Sequence, residues 1–362
     1  MFLGFGEVML RVCPPGHLRF RQALPGTMEC TFGGAEANVC AALALFGAPV
    51  RYLTALPKNP IAEALVTELR GRGVDTSAIL RRDAGRMGVY FVEKGANQRP
   101  SVVVYDRAHS AIAEAEPDEY DFDAALDGVT WVHVTGITPS LTENAFLATL
   151  KLVREAKEKG ATVSCDMNYR KKLWTWRPGA EQRALAGECM SQVMQYVDLA
   201  VGNEEDAAKV FGVEAAGTSV EAGQINAAAY EDVARQLIAM FPNLSRVAIT
   251  LRESLSADHN NWGGMLFDRA ADRAVFAPLN ADGEYEPYRI RDIVDRVGGG
   301  DSFAAGLLYA LTSEAFADPQ AAIRFAVASS CLKHSIQGDF HCVTVEEVVS
   351  LMEGSGTGRV KR

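Results

Sequence analysis

RVGGGDSFAAGLLYAL, Arg296 to Leu311, sets three consecutive glycines, Gly298 to Gly300, directly before a carboxylate, Asp301, and then starts an apolar helix. A helix N-terminus carries unpaired N–H groups and a partial positive charge, so it favours an anion, and glycines let that anion come close to the backbone. Asp301 would stand beside whatever anion binds there. The same residues allow a plainer reading, in which Asp301 only caps the helix and the glycines shape a loop. On this stretch alone the two readings stand level.

Upstream of it, apolar runs near 50–56, 129–134, 161–166, 197–201 and 246–251 read as strands, and helical spacing recurs near 60–72, 142–159, 181–194, 203–211 and 230–240. Strand and helix in alternation predict an α/β fold around a mainly parallel sheet. The chain opens with a strand-like run, Phe2 to Val12, and after a Pro/Gly segment shows helical spacing from Ala35 to Phe46, closed by Gly47. Residues 86–107, RMGVYFVEKGANQRPSVVVYDR, break the rhythm and read as two strands around a Gly/Asn turn. That hairpin is expected outside the central sheet, covering a site or pairing with another subunit. No linker divides the chain, so 1–352 is expected to be one domain, with a frayed polar tail over 353–362.

Composition narrows the partners. With 362 residues and 48% hydrophobic content the chain can bury a large core, and its net charge of −10 argues against a nucleic-acid backbone or an anionic membrane surface. No apolar run nears the roughly 20 residues that span a bilayer, and the N-terminus lacks a basic region and a small-residue cleavage site. A cytoplasmic location is expected. The seven cysteines never form C-x-x-C, which suggests neither a disulfide framework nor a zinc site.

Open parallel sheets bind ligands beyond the C-terminal ends of their strands. There the sequence places CDMNYRKKLW, with Asp166, Asn168 and Arg170, and GNEEDA, with Asn203, Glu204, Glu205 and Asp206. The acidic cluster suits a helix N-terminus or a hydrated Mg²⁺ held by carboxylates and phosphates. There is no Gly-Lys dipeptide, so a P-loop is excluded. GFGEVML has Met9 where a dinucleotide fingerprint needs its third glycine. Strand alternation puts Val103, Tyr105 and Arg107 on one face, and Gly88, Tyr90 and Val92 on one face of the partner strand. Tyr90, Tyr105 and Arg107 can therefore meet Arg170 over an acidic ligand, because a guanidinium matches a carboxylate with a two-donor fork. The alternative is tyrosines packed at a subunit interface and solvated arginines.

Gly33-Gly34 with Asn38, the Asn203 to Asp206 cluster and DRVGGGDSFAAG resemble, in order and spacing, the signature regions and the Mg²⁺-associated motif of the ribokinase-like (PfkB) carbohydrate kinases. The resemblance runs from Phe2 to about Met352. GVYFVEKGANQRPSVVVYDRAHSA, CDMNYRKKLW, TLRESLSADHNNW and KHSIQGDF are similar to the 2-keto-3-deoxygluconate kinase branch. The resemblance implies a three-layer α/β/α sandwich with a small β lid, built near 9–34 and 86–112. It implies ATP and Mg²⁺ as cofactors, and γ-phosphoryl transfer to the 6-hydroxyl of a 2-keto-3-deoxy sugar acid. Asp301 would be the base, with Gly298, Gly299 and Gly300 as the anion hole. Gly33, Gly34, Asn38, Tyr90, Tyr105, Arg107 and Arg170 would contact the acceptor. Asn203, Thr250, Arg252, Gly298, Gly300 and Asp339 would contact the nucleotide, and Glu205 or Asp206 the metal. Two alternatives are a kinase for a neutral sugar, such as fructose or ribose, and a catalytically silent sugar-binding protein of the same fold. The expected partners are small molecules and a second copy of the chain through the lid strands, with no nucleic acid and no membrane.

Overall fold

The apolar runs form the parallel part of a nine-stranded sheet in the computed structural model, which describes residues 1–217 and 226–354. Across the sheet the order is Arg273–Ala277, Asn260–Asp268, Arg246–Ser254, Leu199–Asn203, Thr162–Asp166, Trp131–Thr135, Phe2–Phe5 and Val50–Leu53, with Tyr288–Ile290 also paired to Asn260–Asp268. From Arg246–Ser254 to Val50–Leu53 the pairs are parallel. The pairs made by Asn260–Asp268 are antiparallel.

A parallel strand covered on both faces has no polar side, and Trp131–Thr135 is buried at every position. Val132 and Val134 join one apolar cluster, with the helices Glu143–Glu158, Gln182–Met194 and Ala229–Met240. Trp131 faces the other, with Ala35–Leu45, Pro60–Gly71, Gly299–Thr312 and Pro319–Lys333. The result is a helix layer on each side of the sheet. Helix starts follow local chemistry: Asn59 accepts from Ala62 N–H ahead of Pro60, and Thr142 accepts from Ala145 N–H.

Two expected strands divide: of the run at 50–56, Val50–Leu53 stays in the central sheet and Ala55–Pro57 pairs with Leu80–Arg82 in a separate two-stranded sheet. Phe2–Phe5 belongs to the central sheet, whereas Met9–Cys13 crosses to a second, four-stranded sheet. The chain turns at Gly6, where a side chain would collide with the carboxylate of Glu36. The second sheet runs Glu29–Gly33, Met9–Cys13, Gly88–Glu93, Val102–Asp106, and its last pair places Tyr90 opposite Tyr105. The expected helix near 203–211 starts only at Asp206, because Leu199–Asn203 is strand. Of the expected tail, only Glu353 and Gly354 lie within the described residues. Among the described residues no helix is long and apolar enough to cross a membrane.

Candidate active site

The two sheets enclose a cleft of about 560 Å³ at the C-terminal ends of the parallel strands, and every site residue expected from the sequence lines it. Its floor is the start of Gly299–Thr312. Gly298 precedes that helix at φ 83°, and no side chain caps it. Left-handed backbone favours glycine, and here a side chain would also run into the carbonyl of Asp339. A Cβ on Gly300 would meet nothing within 4 Å, so the first turn faces open cleft.

Asp301 is half-buried beside these N–H groups and does not cap the helix. Its Oδ2 accepts from Asn38 Nδ2 at 2.6 Å, and Asn38 Oδ1 in turn accepts from Gly34 N–H at 3.3 Å. Withdrawal from water pushes the Asp301 carboxyl up to about 6, against the lowering effect of the Asn38 bond; the charge of Asp339 raises it further, and Arg170 and Lys333 oppose that. A carboxylate of that pKa is ionised at neutral pH yet takes a proton readily. Gly34 is required for this approach, since a side chain there would strike the backbone of Glu7 and Val8.

The small sheet supplies the opposite wall. Tyr90 is buried and donates to Asp339 Oδ2 at 2.6 Å, while Tyr105, 40% exposed, lies 6.2 Å from it between ring centroids. Arg107 sits 5.4 Å over the Tyr105 ring, and its Nε and one terminal nitrogen both donate to Glu7 Oε2. Much of its charge is thus already matched by buried Glu7. Arg170 differs: it is exposed, among the described residues its one protein hydrogen bond goes to the carbonyl of Tyr169, and its charge works to lower the carboxyls of Asp166, Asp206 and Asp301 against the rise that burial imposes.

Asp339, expected at the nucleotide, has both oxygens engaged elsewhere: Arg11 donates to Oδ1 at 2.6 Å and Tyr90 to Oδ2. Asp206, expected at the metal, accepts the N–H groups of Tyr169 and Asn203 and so ties two strand-end loops together. Glu205 pairs with Lys209 at 2.8 Å. Burial and the charge of Asp206 push the Asp166 carboxyl well up. Glu204 bonds Arg252 through Oε1 at 3.0 Å, while its buried Oε2 has no hydrogen-bond partner among the described residues. Thr250, Arg252 and Asn203 line the cleft at the ends of neighbouring strands.

Sequence reading missed several charged residues, buried Glu7 among them. Arg11 is 2% exposed and Lys333 fully buried, both beneath the helix start. Glu36, beside Thr135 and Thr138, is pushed up by burial to about 7, partly offset by hydrogen bonds from both threonines. Lys94 lines the small-sheet wall at 7% exposure. Their common signal is a charged residue inside an apolar run, as in MLRVC or ASSCLK.

The sequence pattern of the pfkB family of carbohydrate kinases matches residues 5–251 and 265–344, which carry every site residue named above except Arg252. The chain belongs to the pfkB family of carbohydrate kinases. It is 30% identical to a 2-dehydro-3-deoxygalactonokinase of Haloferax volcanii over 98% of this chain and 97% of that one. A 2-dehydro-3-deoxygluconokinase of Thermoproteus tenax is 26% identical over 93% of this chain and 88% of its own length. The crystal structure of a 2-dehydro-3-deoxygluconokinase from Thermotoga maritima superposes with a TM-score of 0.87 at 43% identity, covering 98% and 99% of the two chains. In this carbohydrate-kinase fold the glycine-started helix, Asn38 and the strand-end loops surround one cleft.

Proposed function

We propose that this chain transfers the γ-phosphoryl group of ATP to the 6-hydroxyl of 2-keto-3-deoxygluconate, giving 2-keto-3-deoxy-6-phosphogluconate and ADP. The observation that carries the reading is the ionisable Asp301 beside an uncapped, glycine-started helix in a cleft walled by a second sheet. As the acceptor oxygen bonds to phosphorus, its proton passes to Asp301 and the bond to ADP breaks. Charge that builds on the transferred group is met by the free N–H groups of Gly299 and Gly300 and by the helix dipole. Asn38 holds the carboxylate in place with a bond that favours its ionised form.

Among the described residues no three acidic, histidine or cysteine side chains cluster closely enough to cage a metal ion; Mg²⁺ needs few protein ligands, and Glu205 at the strand end would hold it through water and phosphate, Asp206 being taken up by backbone N–H groups. Bound there, Mg²⁺ neutralises phosphate charge. Asn203, Thr250 and Arg252 border the triphosphate side. The acceptor lies toward Gly33, Gly34, Tyr90 and Tyr105, and its carboxylate is read by Arg170, with Arg107 and Lys94 contributing positive field from the small sheet, which acts as the lid. A cytoplasmic location, where ATP is supplied, goes with this reading.

A specific observation favours a second acceptor. The 30% identity to a 2-dehydro-3-deoxygalactonokinase makes the galactonate epimer the runner-up. The small sheet also has an apolar outer face: Leu10, Val12, Phe32, Val89, Phe91, Val102 and Val104 alternate with the cleft-facing set, and Val104 is 50% exposed. A second copy of the chain is the partner we assign to it. Phosphorus NMR of the product tests the transfer. A monoester coupled to the two C6 protons is expected; no ester, or an ester at another carbon, overturns the reading.

A further inference from the structure

Lys333 ends the helix Pro319–Lys333 and is fully buried, a rare position for an ammonium group. Its three donors are all used. They go to the carbonyls of Val297 at 2.9 Å, Ile336 at 3.2 Å and Gly338 at 2.7 Å. Val297 directly precedes Gly298, the residue whose left-handed turn starts the anion hole, and a Cβ on Gly298 would lie 3.3 Å from Lys333 Cε. Asp295 and Asp339 flank the ammonium and counter part of the lowering that burial imposes on it.

The surroundings form a closed unit. Arg11 donates to Asp295 at 2.5 Å and to Asp339 at 2.6 Å. Asp295 in turn accepts the N–H groups of Val297 and Gly338, both at 3.1 Å. Two cations and two carboxylates thus balance, and three chain segments meet at one point beneath the phosphate-facing turn. Three carbonyl oxygens converging on one position, with carboxylates alongside, is the coordination a small monovalent cation takes from a protein.

We infer that Lys333 is the resident cation of the anion hole: its tethered ammonium fills the carbonyl cage, fixes the turn that presents the Gly299 and Gly300 N–H groups, and makes dissolved monovalent cations unnecessary for turnover. Lys333 touches no reacting atom and is a positioning residue. The inference rests on the phosphoryl-transfer reading above. It assigns the geometry of the helix start to a side chain from a different helix. Because the cage holds the turn and not the acceptor, losing the ammonium lowers kcat and leaves the acceptor KM largely unchanged.

The experiment compares wild type with Lys333→Ala and Lys333→Met in buffers whose only monovalent cation is sodium, potassium, ammonium or tetramethylammonium, at constant ionic strength. Wild-type kcat is expected to agree within about twofold in all four. In tetramethylammonium, Lys333→Ala should lose at least about tenfold in kcat with acceptor KM within about threefold, and ammonium or potassium should restore much of it. Melting temperature is followed in parallel, with ammonium or potassium raising it in Lys333→Ala and leaving wild type unmoved. A wild type that slows in tetramethylammonium overturns the inference, as does a folded Lys333→Ala with unchanged kcat or one that no small cation restores. If neither variant folds, the wild-type comparison decides alone. Wild type inactive on every acceptor defeats the kinase reading, and the melting response of Lys333→Ala then still decides the cage.

Discussion

Asp301 concentrates the chemistry at the residue scale. Its folded pKa of about 6, against 3.8 for a free side chain, means that the folded state holds this proton more tightly than the unfolded chain does. Stability from this group is therefore greatest at low pH and is lost as pH rises from about 4 to 6. Activity runs the other way, since only the ionised carboxylate accepts a proton. We expect kcat/KM to be flat near neutrality and to fall tenfold per pH unit below about 6, as a pH–rate profile would show. Asp301→Asn should cost roughly 10²–10⁴-fold in turnover. It should also keep acceptor binding and hold or raise the melting temperature, because a buried charge is removed. Arg170 and Arg107 part company here. Removing Arg107 would leave buried Glu7 unpaired and confuse folding with binding, whereas Arg170 is exposed and, among the described residues, bonds only its neighbour's carbonyl. Arg170→Ala should therefore raise KM for acidic acceptors by about tenfold or more, equivalent to the roughly 1.5–3 kcal/mol of a charged hydrogen bond, and leave neutral sugars unaffected.

Elements differ in how plainly the sequence announces them. Parallel strands such as Trp131–Thr135 are covered on both faces, so they read as uninterrupted apolar runs, and the capped helices between them carry both a period and a start signal. The antiparallel extension was silent. Asn260–Asp268, NNWGGMLFD, opens with asparagines and holds Gly263 against the Tyr285 ring and Gly264 against Phe303, so its β character comes from packing rather than propensity. Phe2–Val12 read as one strand because nothing local marks the change of sheet; the bend at Gly6 answers to Glu36, 30 residues on in sequence and adjacent only in the fold. The small sheet turns a polar set, Arg11, Tyr90 and Tyr105, toward the cleft and an apolar set outward. If a second copy covers the outer face, Val104→Lys on the exposed edge strand should shift the molecule toward monomer in light scattering after gel filtration, while Tyr105 and the cleft stay intact.

At the scale of the whole molecule, the cleft exists because the central sheet ends where the second sheet begins. The glycine-rich stretch, Asn38 and the strand-end loops could be found one by one in the sequence, since each carries a short motif. Their partners could not: the Glu7–Arg107 pair spans 100 residues and the Arg11–Asp339 pair 328, and no local pattern links them. The family and its fold were therefore legible, while the division of labour among the arginines and carboxylates needed the three-dimensional arrangement. Release of ADP from ATP–Mg²⁺ with 2-keto-3-deoxygluconate, its galactonate epimer, gluconate, fructose and ribose offered separately tests the central claim most directly. Turnover confined to the two 2-keto-3-deoxy acids, with the gluconate form ahead, is the predicted result. A preference for fructose or ribose would contradict the acidic-acceptor site, and no turnover with any acceptor would contradict the kinase itself.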